Sequence, residues 1–190
     1  MLNEILSIKN FVVLDPKVKD GLMQEVLKSK EVHDNTPDAG GTNRNFRILS
    51  ENSFFKILYQ EMFNECEAIF GKLNLSKYNS DACWSVCSNK HYWESVPHDH
   101  TRTAIINTVY YLNIPKIDGK YVGAFRYVNK QGEWAEYQPE PFELLIMPAY
   151  LTHDNGFHDT EEWRISVNME IITQDHVDFK LLNSFRIEVI

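Results

Sequence analysis

Residues 142–172 read FELLIMPAYLTHDNGFHDTEEWRISVNMEII, and two patterns inside them decide the fold. Phe142–Met147 is an apolar run closed by Pro148, of a length that suits a buried strand better than a helix. Trp163–Ile172 alternates. Arg164, Ser166 and Asn168 fall on one face and Ile165, Val167 and Met169 on the other, the period of two that a pleated strand imposes. Upstream, Val122–Val128, Ala104–Leu112 and Ala82–Cys87 are short runs of the same kind, separated by turn residues. No helical pattern lies between them. Parallel crossover units are therefore not expected, and the chain from about residue 80 predicts an antiparallel sandwich or barrel.

The first third has a different texture. Phe11-Val12-Val13-Leu14 reads as a short strand. Asp15-Pro16 then supplies an N-cap and an N1 proline for a helix through Val18, Leu22, Met23, Val26 and Leu27. Residues 33–45 are rich in turn formers and predict a loop. Ser53 can cap a second helix, where Phe54, Phe55, Leu58, Met62, Cys66, Ile69 and Leu73 recur every three or four residues. A helix striped in this way covers something apolar, so the two helices are expected to back the β-roll on one side.

The chain has 190 residues, with 27 acidic against 19 basic for a net charge of −8. That length suits one domain with a substantial core. The expected division is residues 1–75 as supporting strand and helices and residues 80–172 as the β-roll that carries the site. Aromatic residues make up 13% of the sequence, which excludes a disordered polymer. No apolar run reaches the roughly 18–20 residues that span a bilayer, so no membrane association is expected. The opening MLNEILSIKN carries charges and has no signal-peptide core, so export is not expected either. An acidic chain without a dense Lys/Arg tract argues against nucleic acid as a partner. Cys66, Cys83 and Cys87 form neither a redox pair nor a zinc pattern and read as reduced thiols of a cytoplasmic protein.

Three of the seven histidines carry chemistry. His98 and His100 flank Asp99 in Pro97-His98-Asp99-His100, just before the strand that begins near Ala104. Residues i and i+2 of an extended segment share a face, so both imidazoles can converge on one metal while Asp99 points away. His153 follows the most apolar strand, at the mouth of a polar turn, where a third ligand from another strand would sit. Three protein ligands with open positions suit a catalytic metal rather than a structural one. Arg164 follows 11 residues later. An arginine facing the inside of a roll is costly unless it meets an anion. Its guanidinium grips a carboxylate through two parallel bonds, and the Ser166 hydroxyl can add a third. A polar face turned to solvent is the other reading of that strand.

In their order these residues resemble the Fe(II)/2-oxoglutarate-dependent oxygenases, and within them the prolyl-hydroxylase-like branch. The closest likeness is to a group of oxygenases with Pro-His-x-His, a following Val-Tyr-Tyr-Leu strand, and a Pro-x-x-x-x-His segment ahead of the arginine. Those pieces are Pro97–His100, Val109–Leu112, Pro148–His153 and Arg164–Asn168. The resemblance implies a mainly β fold, the double-stranded β-helix or jelly roll, with N-terminal helices packed on one sheet. It carries His98 and His153 onto two metal ligands and gives Arg164, assisted by Ser166, the distal carboxylate of 2-oxoglutarate. Most members have Asp or Glu where this chain has His100. Three neutral histidines leave Fe(II) with its full charge of about +2, where a carboxylate would leave about +1. A kink that lets Asp99 coordinate works against the period of two, so the expected set is His98, His100 and His153.

Tyr110 and Tyr111 alternate, so one faces the interior and can hydrogen-bond the cosubstrate. Tyr110 is assigned that role, with core packing as its other use. Tyr92 and Trp93 can line the entrance, and Arg102 or Arg126 can meet an anionic substrate or sit on the surface. His91, His158 and His176 are expected on the surface. His33 and Gly40-Gly41 can contribute to a lid. The function implied is a hydroxylase that uses Fe(II), 2-oxoglutarate and dioxygen on a small molecule or a peptide side chain. Two alternatives stand beside it: a cupin-like three-histidine dioxygenase without a 2-oxo acid, and a β-roll that binds metal or ligand without turnover.

Overall fold

The computed structural model describes residues 5–34, 53–75, 83–93 and 96–173. In chain order the first half contributes β1 (Leu6–Ile8), α1 (Pro16–Asp34), α2 (Ser53–Phe70), β2 (Leu73–Leu75) and β3 (Cys83–Ser88). Then come β4 (Ile106–Asn113), β5 (Lys116–Ile117), β6 (Lys120–Tyr121), β7 (Phe125–Val128) and β8 (Trp134–Tyr137). The chain continues through β9 (Leu144–Pro148), β10 (His153–Asn155) and β11 (Arg164–Thr173). The fold is mainly β, and every strand pairing is antiparallel. The loop expected over residues 33–45 starts later, since His33 and Asp34 belong to α1; its remainder, with Gly40-Gly41, lies outside the described residues, as does His176.

The larger sheet runs β1-β9-β4-β11-β2, and β3 pairs with β11 beside β2. The smaller sheet is β10-β7-β8. Along β9 and β4 successive side chains join two different apolar clusters. Leu144, Ile146, Tyr110 and Leu112 meet Leu22 and Val26 of α1 and Phe55, Leu58, Met62 and Cys66 of α2. Leu145, Met147, Val109 and Tyr111 instead meet Phe125 of the smaller sheet. The larger sheet is thus covered on both faces, by helices on one and by the smaller sheet on the other. Each large apolar side chain so buried contributes roughly 1.5–3 kcal/mol.

Local chemistry sets the element ends. Asp15 caps α1, its carboxylate accepting from the Lys17 amide at 2.9 Å. α2 ends at Gly71, whose φ of 83° lets its amide reach the Glu67 carbonyl at 2.9 Å. Three expectations shift. Phe11–Leu14 is not a strand; the Phe11 amide bonds the Phe142 carbonyl, and β1 lies earlier, against β9. The strand expected from Phe142 begins at Leu144, because Phe142 has φ of 66° and cannot continue a pleat. The strand expected from Val122 begins at Phe125, since Gly123 has φ of 80°.

Candidate metal centre and anion site

His98 and His153 face each other across a single antiparallel bridge and exchange amide-to-carbonyl bonds of 3.1 and 3.0 Å. The His100 amide bonds the Ala149 carbonyl at 2.8 Å, and the chain then turns through Thr103 and Ala104 into β4. This short extended segment brings His98 and His100 onto one face. The three rings lie 4.6 to 5.2 Å apart, and one nitrogen from each falls within 4.8 Å of the others. The structure therefore brings together the three histidines singled out from sequence. His98 is exposed, while His100 and His153 are buried.

Which nitrogen each ring presents follows from its other partner. The Nδ1 of His98 lies 2.7 Å from the Val96 carbonyl, and that of His153 lies 2.7 Å from the Leu151 carbonyl. A carbonyl only accepts, so both Nδ1 atoms carry protons and both Nε2 atoms present lone pairs. The Nδ1 of His100 donates to the Glu170 carboxylate at 2.6 Å. Partners of this kind hold metal-ligating histidines in one tautomer and one orientation. Burial, reinforced by His100 and His98, pushes the His153 pKa down to about 3. It stays neutral, the form that binds a metal. The Phe125 ring stacks 5.2 Å from His153 and fixes its plane.

Asp99 is not among the converging groups. Its carboxylate accepts from the Thr101 amide at 3.0 Å and from the Thr101 hydroxyl, closing the turn after His98. Sequence reasoning missed Glu170. The available signal was alternation, which puts Glu170 on the face of Arg164, Ser166 and Asn168; in the register it lies opposite Asn107.

At the other end of β11, Arg164 is fully buried. Its Nε donates to the Gly123 carbonyl at 3.0 Å, and its guanidinium carbon lies 5.0 Å from the centre of the Tyr111 ring. Both terminal nitrogens, Nη1 and Nη2, are buried without a hydrogen-bond partner among the described residues. Burial pulls the Arg164 pKa below its ordinary value, with Tyr111 opposing. A buried cation with two idle donors is expensive unless an anion meets it. Ser166 is buried beside it and lies opposite Tyr111 in the register. Gly123 must be glycine here: a Cβ would stand 2.8 Å from the Arg164 Cδ.

Two assignments are corrected. Tyr110 faces the helices, where its hydroxyl donates to the Val12 carbonyl at 2.6 Å. Tyr111 takes the inward position, and its buried hydroxyl meets no hydrogen-bond partner of good geometry among the described residues. Burial raises its pKa above the usual phenol range. His158 is not a surface residue but 3% exposed, 3.4 Å from the Ser88 hydroxyl, with an Nδ1 that has no partner among the described residues. Burial, and next the charge on Arg164, lower its pKa. Elsewhere, His91 pairs with Glu161 on the surface and Arg126 with Asp154. Trp93 donates to the Asn155 carbonyl at 2.9 Å and packs on Phe157.

The two ends belong to one layer. Gly123 holds Arg164, and Phe125, two residues on, holds His153, so both groups rest on the same short segment of chain.

Several solved structures share this arrangement of elements. HygX from Streptomyces hygroscopicus, solved with nickel and 2-oxoglutarate bound, matches with a TM-score of 0.65 at 12% identity, over 92% of this chain and 84% of its own. SnoK, a non-heme alpha ketoglutarate dependent carbocyclase of nogalamycin biosynthesis, matches at 0.67 and 8% identity, over 92% and 81%. The viral collagen prolyl hydroxylase vCPH of Paramecium Bursaria Chlorella virus-1 matches at 0.55 and 13% identity, over 88% and 89%. This chain has their fold. No protein-family model matches the sequence, and no curated protein does. No helix among the described residues is long and apolar enough to cross a membrane.

Proposed function

We propose that residues 1–190 form one domain, a double-stranded β-helix that is an Fe(II)- and 2-oxoglutarate-dependent oxygenase. Its reaction is hydroxylation of a small molecule or a peptide side chain, with dioxygen as the other substrate. The observation that carries this reading is the pairing of three converging imidazoles with the two nitrogens of buried Arg164 that have no partner among the described residues. HygX, which has the same fold, was solved with nickel and 2-oxoglutarate. The three free thiols, all buried, fit the cytoplasmic setting that belongs to the same reading.

His98, His100 and His153 hold the metal through Nε2, each ring locked from behind by its Nδ1 bond. Arg164 grips the far carboxylate of a five-carbon dicarboxylate with Nη1 and Nη2, a forked geometry that a lysine cannot reproduce. Tyr111 and His158 bring two further buried polar atoms to that end, and Ser166 a buried hydroxyl. Apolar Val109, Leu145, Met147 and Phe125 wall the layer against water. Held there, the metal and the 2-oxo acid would supply the chemistry that turns dioxygen on a C–H bond. A three-histidine dioxygenase that takes no 2-oxo acid leaves the buried guanidinium unexplained.

The test is anaerobic titration of the Fe(II)-loaded protein with 2-oxoglutarate. A visible charge-transfer band is expected, lost in Arg164→Leu while metal content is kept. No band, together with no 2-oxoglutarate binding by calorimetry, ends this reading.

A further inference from the structure

The inference here rests on that metal-centre reading and concerns Glu170. With three neutral imidazoles as its protein ligands, a divalent ion keeps its whole charge in a layer that also contains the Arg164 guanidinium. Charges in such surroundings need a counter-charge. Glu170 is 2% exposed and His100 6%, and their 2.6 Å contact is buried on both sides. His98 and His153 give their Nδ1 protons to neutral carbonyls; His100 gives its proton to a formal charge. Trp84 lies 5.8 Å from the His100 ring, which keeps the contact covered.

We propose that Glu170 is the anionic member of this centre, a positioning residue that acts on the ion through the His100 imidazole. A carboxylate accepting from Nδ1 makes Nε2 a stronger donor to the metal. The triad would then approach two histidines and a carboxylate in its electrostatics, although none of the three converging side chains is a carboxylate. With a doubly charged 2-oxo acid seated on Arg164, the ligand and Glu170 would offset the dication and the guanidinium.

Charge and orientation separate in Glu170→Gln, because the amide oxygen still accepts the Nδ1 proton while the charge is gone. Nickel(II) alone is titrated by calorimetry into wild type and variant. The variant is expected to bind it about 10–100-fold more weakly. At saturating nickel it should bind 2-oxoglutarate several-fold more tightly, since its centre is one charge more positive. Mere structural damage weakens both, so the opposite signs are the signature. Equal nickel affinities, or two losses together, overturn the proposal.

A second variant places the charge on the ligand itself. His100→Asp in the Glu170→Gln background should restore nickel binding towards wild type, and failure to do so also overturns the proposal. Wild type that does not bind nickel removes the metal-centre reading itself, whereas wild-type binding unchanged in Glu170→Gln removes only this inference.

Discussion

β11 has two faces with opposite duties. Ile165, Val167, Met169 and Ile171 point towards the helices and are fully buried in the larger apolar cluster. Arg164, Ser166, Asn168 and Glu170 point towards the smaller sheet and are buried as well. The first face returns its burial as stability. The second contains a cation whose terminal nitrogens have no partner among the described residues and a carboxylate bonded to a histidine, which stability alone would not select. Neighbouring residues on one strand can therefore be told apart by which quantity they move.

The sharpest contrast is between adjacent positions. Ile165→Ala should cost about 2–5 kcal/mol of unfolding free energy in a denaturant melt, with 2-oxoglutarate affinity little changed in the folded fraction. Arg164→Leu should do the reverse: loss of about 100-fold or more in 2-oxoglutarate affinity by calorimetry, with an unfolding midpoint equal to or above wild type. If both variants move both quantities, the division of the strand collapses.

Acid probes the inner layer next. His153 has a pKa of about 3 in the fold, against about 6.5 in an unfolded chain. Between those values the unfolded state takes up a proton that the fold refuses. The metal-free protein should therefore keep this contribution above pH about 6.5 and lose about 1.4 kcal/mol for each pH unit below it, levelling off near pH 3. His153→Gln should flatten that slope in the same melts.

Smaller effects refine the contrast. Gly123→Ala forces a Cβ against Arg164 and strains a φ of 80°, so 2-oxoglutarate affinity should fall by about tenfold with a stability loss of about 1 kcal/mol or more. The tyrosine pair gives the smallest change. Tyr110→Phe should cost about 0.5–1.5 kcal/mol of stability through its lost bond to Val12 and leave ligand binding alone. Tyr111→Phe should weaken 2-oxoglutarate binding and spare the melt.

Much of this was legible in the residues because strand alternation is a local property. The period of two in 164–169 placed Arg164 and Ser166 on the face the structure gives them, and His-x-His spacing put His98 and His100 side by side. What sequence could not supply was phase. Tyr110 and Tyr111 are adjacent and alike, and only the register, Ser166 opposite Tyr111, decides which looks inward. Glu170 was hidden for a related reason: its partner lies 70 residues away, and nothing local distinguishes a buried glutamate from a solvated one. His158 read as a surface residue because its burial comes from Gly123 and Ser88 on distant segments. The strand expected at Phe11–Leu14 was apolar for the core it joins, and apolarity alone does not provide a pairing partner.

The backbone bridge between His98 and His153 has a consequence for how an ion is captured. Two of the three imidazoles are paired through their own peptide groups and held by carbonyls two residues earlier in the chain, so their spacing does not depend on a bound cation. His98 alone of the three is exposed, so an ion that binds them would meet it before the two buried rings.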